Sequence, residues 1–325
     1  MNLSPNRREF VVFLEEYIMR KKMIAAALAV MFLLSGCAEN EMAQPENRQL
    51  TILVTRDYGR EILAERSVYP SEGDTVMDLM QDNFTVETAY GGGFVNAIDG
   101  LKSGYTGKGS SQKKGTKKDW FYYVNGVMAE IGADQYMCDE ANAVSWDFHD
   151  WGGDMYVKTR INAWPERLKG RSVEMAFGQT FEKDAVRIRE AFEEAGGRVA
   201  ESTVESLDME DLEKDALFVG TWQDANKNEF IKGVFENREK AGIYSYFNEK
   251  GLMLFDNNGE ITATRQKGAI AASVQKAYGS EASVLLLVGN EVSMIEKIVD
   301  VFLDRESAKG AFGIAATEEG VCYVP

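Results

Sequence analysis

Apolar and polar residues alternate in two different rhythms along the chain. Residues 49–55 (QLTILVT) alternate β-branched side chains, and residues 61–69 follow the turn Asp57-Tyr58-Gly59-Arg60, which predicts a hairpin. Val76, Leu79, Met80 and Phe84 then fall at helical spacing behind Asp74 or Thr75 as cap, so a short amphipathic helix should lie on a sheet. Residues 84–89 and 93–98 read as further strands, with Asp99-Gly100 as a turn. Residues 119–126 (DWFYYVNG) put Trp120, Tyr122 and Val124 on one strand face and Phe121, Tyr123 and Asn125 on the other. A strand that is aromatic on both faces is either wholly buried or holds one face against a ligand. Asn125-Gly126 is a type I′ hairpin signal. Residues 142–149 (NAVSWDFH) alternate again, with Val144, Trp146 and Phe148 opposite Ser145, Asp147 and His149.

After Pro165 and the charged linker ERLKGR the rhythm changes. Residues 172–177 form an apolar strand, and residues 184–195 a helix with Ala185, Ile188 and Phe192 on one stripe, ended by Gly196-Gly197. Residues 198–204 are a strand. Residues 215–222 (DALFVGTW) and 283–289 (SVLLLVG) have the continuous apolar character of buried parallel strands. Helices are expected over 226–240 and 291–303, a hairpin within 249–263, and a last strand over 312–316. The chain is thus expected to be an α+β, β-grasp-like domain over 49–164, followed by a three-layer α/β domain over 165–325 with a mostly parallel sheet.

The N-terminus has a pattern of its own. Arg20-Lys21-Lys22 precedes Met23 to Leu34, twelve residues without a charge. That length suits an exported signal of roughly 7–15 apolar residues and falls short of the roughly 20 that span a bilayer. Leu34-Ser35-Gly36-Cys37 follows and resembles the lipobox of bacterial lipoproteins, in which the cysteine is acylated and becomes the new N-terminus. Residues 1–37 are therefore expected to be a signal peptide with Cys37 as the lipidation site. Glu9, Glu15 and Glu16 do not suit a signal, so Met19 is the expected start of translation. Residues 38–48 (AENEMAQPENR) are too polar to pack and are expected to be a flexible tether.

Charge narrows the functional classes. The chain carries 36 basic and 52 acidic groups, net −16; without residues 1–37 this becomes 31 and 49, net −18. Such a surface repels nucleic acid and anionic lipid. Residues 101–118 (LKSGYTGKGSSQKKGTKK) go against this trend, with six lysines and no acid. They read as a solvated insertion or as a basic loop over an anionic ligand or acidic partner. Cys138 and Cys322, far apart in sequence, read as two separate thiols more readily than as a disulfide. His149 is the sole histidine and is expected to be a hydrogen-bonded surface residue rather than a metal ligand. No nucleophile elbow, phosphate loop, Cys-x-x-Cys or His-Glu-x-x-His is present, so binding is expected rather than catalysis.

One resemblance gathers these features. A strand pair, a helix opened by Gly-Asp-Thr-Val, then Trp120-x-Tyr122-x-Val124-Asn125-Gly126, Gly132-Ala133-x-x-Tyr136 and Val144-Ser145-Trp146-x-Phe148 resemble the transcobalamin-like C-terminal (DUF4430-type, β-grasp-like) domain over about residues 50–150. That family includes the module covering the upper face of cobalamin in vertebrate B12 carriers and bacterial surface lipoproteins. The resemblance implies an extracytoplasmic, lipid-anchored protein that captures a corrinoid or similar flat cofactor and passes it to a transporter permease. Trp120, Tyr122, Asn125, Gly126 and Trp151 are the expected ligand-binding residues; no cofactor is required and no metal is expected. The alternatives are a surface protein–protein or wall-interaction module without a small ligand, and a flavin-binding redox protein. The second rests on a faint flavodoxin-like pattern over 170–240. There Glu182 and Asp184 sit where an FMN phosphate would bind and would repel it.

Overall fold

The computed structural model describes residues 49–104, 117–152 and 159–325. The expectations for the signal segment, the start at Met19, Cys37 and the tether lie outside the described residues, as do residues 105–116 of the lysine-rich stretch. No described helix is long and apolar enough to cross a membrane. Gln49–Pro325 forms one compact unit, which holds three apolar cores, so this segment carries its own fold. Its architecture is mixed α+β with several sheets.

The first strands are β1 (Leu50–Arg56), β2 (Glu61–Val68), β3 (Val86–Ala89), β4 (Phe94–Ile98), β5 (Leu101–Lys102), β6 (Lys118–Val124), β7 (Val127–Met128) and β8 (Ala143–Asp150). Five of them form a sheet in the order β2-β1-β8-β6-β7, with β1 and β8 parallel at its centre and the other pairs antiparallel. Strands β3, β4 and β5 form a small separate sheet. Helix α1 (Val76–Asn83) begins at Thr75 in a reciprocal capping box. The Asp78 backbone N–H donates to the Thr75 hydroxyl at 3.2 Å, and the Thr75 backbone N–H donates to the Asp78 carboxylate at 2.9 Å. The helix buries Val76, Leu79 and Met80 on the sheet face made by Ile52, Trp120, Val144 and Trp146.

The later strands are β9 (Ser172–Phe177), β10 (Arg198–Ser202), β11 (Asp215–Thr221), β12 (Ser245–Asn248), β13 (Gly251–Phe255), β14 (Ile261–Arg265), β15 (Gly268–Gln275), β16 (Ser283–Gly289), β17 (Gly313–Thr317) and β18 (Gly320–Val324). Seven form a sheet in the order β10-β9-β11-β16-β15-β17-β18, and β12-β13-β14 form another. The expectation of a mostly parallel sheet needs correction. Strands β10, β9, β11 and β16 are parallel, but the pairs β16–β15, β15–β17 and β17–β18 are antiparallel. The connections β15–β16 and β17–β18 are too short to carry the crossover that a parallel pair needs.

The helices here are α2 (Glu182–Glu194), α3 (Trp222–Ala225), α4 (Glu229–Glu236), α5 (Arg238–Ala241), α6 (Val292–Leu303) and α7 (Arg305–Ala308). The single helix expected over 226–240 is thus broken into shorter ones. Asn228 restarts the chain by accepting hydrogen bonds from the Phe230 and Ile231 backbone N–H groups. Strand β16 is buried along its whole length, and its alternation feeds two cores. Leu285 and Leu287 meet Ile188 and Phe192 of α2 and Ile295 and Ile298 of α6. Leu286 and Val288 share the opposite core with Ile231 and Phe235 of α4, Phe247 of β12 and Leu252 of β13. That second core also takes in Tyr58 of the β1–β2 turn and Tyr123 of β6, so residues on both sides of residue 165 pack together.

Candidate functional site

Strand β6 shows why both of its faces are aromatic. Trp120 and Val124 pack into the core under α1, and Tyr122 stacks on Trp146 with ring centroids 4.9 Å apart. Phe121 and Tyr123 point the other way, toward the second sheet, where Tyr123 meets Phe312 edge-on at 5.2 Å. The face that sequence left open to a ligand is covered by protein.

That junction holds a buried polar cluster. Asp147 and His149 share a face of β8, as alternation requires, but His149 is buried rather than on the surface as expected. Its ring lies between Tyr58 of the β1–β2 turn and Phe121 of β6, stacked at 4.3 and 4.4 Å, and Phe312, just before β17, meets it edge-on at 5.8 Å. Its Nδ1 is 2.8 Å from Asp147. Asp147 also accepts from the Thr55 hydroxyl at 2.5 Å and from the backbone N–H groups of Tyr58 at 3.1 Å and Gly59 at 3.0 Å. Burial pushes its pKa up, but the hydrogen bond and charge at His149, the nearby Arg160 and the Thr55 hydroxyl together hold it below the ordinary carboxylate value. Arg160 is itself fully buried. Its Nη2 donates to the Gly310 carbonyl at 2.6 Å and to the Thr55 hydroxyl at 3.2 Å. The rings of Phe312 and Tyr123 flank its guanidinium at 4.4 and 5.5 Å. Every group of this cluster is packed by protein, which fits a structural joint.

The open site lies at the end of β8. A cleft of about 860 Å³ runs between Trp151, the α4–α5 segment and the end of β15. Phe230, Val234, Val274 and Tyr278 make its apolar walls. Trp151 is held in place from behind. Its Nε1–H donates to Asp119 at 2.8 Å, its backbone N–H donates to the Lys117 carbonyl at 2.8 Å, and Asp119 also accepts from the Ser103 hydroxyl. Nearby, Tyr58 and Asn257 both donate to the Asp150 carbonyl, at 2.5 and 3.2 Å. Lys276 lines the cleft and donates its ammonium protons to the carbonyls of Asp208 at 2.6 Å and Asp211 at 2.9 Å.

The expected binding residues are not brought together. Trp151 lines the cleft, whereas Trp120 is in the core with its Nε1–H on the Leu101 carbonyl at 3.0 Å. The Tyr122 hydroxyl donates to the Ile131 carbonyl. Asn125, at positive φ, accepts from the Asn142 and Ala143 backbone N–H groups at 2.8 and 3.2 Å. A Cβ on Gly126 would stand 2.8 Å from the Arg160 carbonyl oxygen, so this glycine serves close packing. Sequence reasoning missed Phe230, Val234, Val274 and Tyr278. Phe230 and Val234 lie on a helix that looks like an ordinary core element, Val274 on a strand without a readable hydrophobic period, and Tyr278 in the turn that follows it, so no local pattern marks them. Among the described residues no group of three His, Cys, Asp or Glu side chains could hold a metal. Cys138 is buried in the first core and Cys322 is exposed on β18. Helix α2 carries Glu182 and Asp184 in its first turn.

Comparison with known proteins bears on one segment. No curated protein matches the chain. Among solved structures it is similar to one described as "a putative metal binding protein" from Ruminococcus gnavus ATCC 29149, with 13% identity and a TM-score of 0.24, covering 32% of this chain and 97% of that one. Residues 73–150 match the model of a family described as a domain of unknown function, DUF4430. The stretch from α1 to β8 therefore carries a DUF4430 domain, the type that the Trp120, Tyr122, Asn125-Gly126 and Trp146 pattern resembles.

Proposed function

We propose that this protein is a lipid-anchored, extracytoplasmic binding protein that captures a flat small molecule in the cleft beside Trp151. In this reading the first sheet with α1 is a β-grasp-like module, and the second sheet with its covering elements is a three-layer α/β domain. The carrying observation is the cleft itself. Its volume of about 860 Å³ falls within the usual range for small-molecule sites, its walls are mainly apolar, and a tryptophan ring is fixed at its edge by a buried carboxylate. A corrinoid is the leading ligand, and a membrane permease the leading recipient. No catalytic role is assigned.

Isothermal titration of the Gln49–Pro325 segment with cobalamin and cobinamide tests the ligand. Binding is expected to weaken by roughly tenfold to a hundredfold in Trp151→Ala, the loss of one large stacking ring. No heat from either ligand at high micromolar concentration would remove the corrinoid. The anchor is tested separately: palmitate label should appear on the whole protein and be absent from Cys37→Ala. Labelling that persists in the variant would refute lipidation at that residue.

A further inference from the structure

The cleft differs in charge from the rest of the chain. The chain carries a net charge of −16, yet the side chains lining the cleft that are charged at neutral pH are Lys240, Lys276 and Glu229. Glu229 is turned to solvent and pairs with Lys232 at 3.7 Å, which offsets its charge. A further cation stands at the edge: the Nζ of Lys117 lies 5.2 Å from the centroid of the Trp151 ring. The ammonium of Lys276 is buried in the wall, and two of its three protons are taken by the Asp208 and Asp211 carbonyls. Burial draws its pKa down, and the carboxylates of Asp208, Asp211, Asp215 and Glu174 already oppose that shift, so Lys276 is compensated by protein and the uncompensated cations of the cleft are Lys117 and Lys240. The remaining walls are aromatic and aliphatic apart from the Asn237 and Gln275 amides, so one pocket offers a mainly apolar surface and a cationic rim.

We propose that the cleft selects a flat, apolar molecule bearing one anionic group, its ring against Trp151 and its anion toward Lys117 and Lys240. This rests on the reading of the cleft as a ligand site and adds the ligand's charge. Both Lys117 and Lys240 are exposed, so reversing them leaves the fold intact.

Two flat dyes test it by fluorescence titration of the Gln49–Pro325 segment: anilinonaphthalene sulfonate, an anion, and Nile red, which is neutral. The double variant Lys117→Glu/Lys240→Glu should weaken the anionic dye by about fivefold to tenfold and leave Nile red unchanged, and added salt should act in the same direction. Trp151→Ala should weaken both dyes. If Trp151→Ala weakens both, but neither salt nor the double variant separates them, the cleft binds flat molecules regardless of charge and this proposal is overturned. If Trp151→Ala changes neither dye, the cleft is not a ligand site and both readings are overturned.

Discussion

Replacing Gly59 by alanine should destabilise the Gln49–Pro325 segment by about 4 kcal/mol or more, at the extreme end for a single methyl group. Gly59 sits at φ +78°, in the turn between β1 and β2, and an added Cβ would lie 1.7 Å from the Gly310 carbonyl oxygen. No side-chain rotation relieves that contact, because the backbone of residue 59 fixes the Cβ and its partner is itself backbone. Gly310 is itself at φ +81°, and its carbonyl accepts the hydrogen bond from Arg160. The clash therefore reaches the polar joint between the two sheets. Gly73→Ala is the internal control. Its φ of +88° imposes a similar conformational penalty, but a Cβ there meets nothing within 4 Å. That variant should cost only about 1–2 kcal/mol, the strain of a left-handed alanine. Urea unfolding of both variants separates close approach from backbone strain. Equal losses would mean that the Gly59–Gly310 crossing is not tight in solution.

The second large effect is expected at Asp147. Asp147→Ala removes the acceptor for Thr55, Tyr58, Gly59 and His149 and leaves the Arg160 guanidinium buried without its counter-charge. Breaking one partner of a buried ionic cluster costs about 3–5 kcal/mol. The pH dependence has a definite sign. The folded pKa of Asp147 is below its unfolded value, so its contribution is complete above the unfolded value, near pH 4, and fades as pH falls through the folded one. Asp147→Ala should therefore lie furthest below wild type at neutral pH, and the gap should narrow in acid. Urea midpoints at neutral pH and at about pH 3 check this. A gap that widens in acid would show that the carboxylate is not the stabilising form. Because Gly59 donates directly to Asp147, the two substitutions should be non-additive when combined.

The faces of individual elements were legible because side-chain direction follows from backbone period. Val144, Trp146 and Phe148 share the core under α1, and Asp147 and His149 share the opposite face, as alternation along β8 requires. The capped helix, the Asn125-Gly126 turn and the buried strands β11 and β16 were readable for the same local reasons. Strand β15 was not: Gly268-Ala269-Ile270-Ala271-Ala272 has few bulky side chains, because its neighbours leave little room. A Cβ on Gly268 would come within 2.5 Å of the Leu252 side chain. Small residues chosen for close packing leave no hydrophobic period to read.

Sequence by itself determined the local units: a capped helix, an alternating aromatic strand, and the residue pattern of a DUF4430-type domain over about residues 50–150, of which the family model matches 73–150. Tertiary structure alone decided what covers each face. It buried His149 between two rings, sent Trp120 to a core and brought Trp151 beside Phe230 and Val274, which lie far along the chain. The physical reason is that periodicity fixes the direction of a side chain relative to its own backbone. What it meets depends on long-range packing, and no local pattern encodes that.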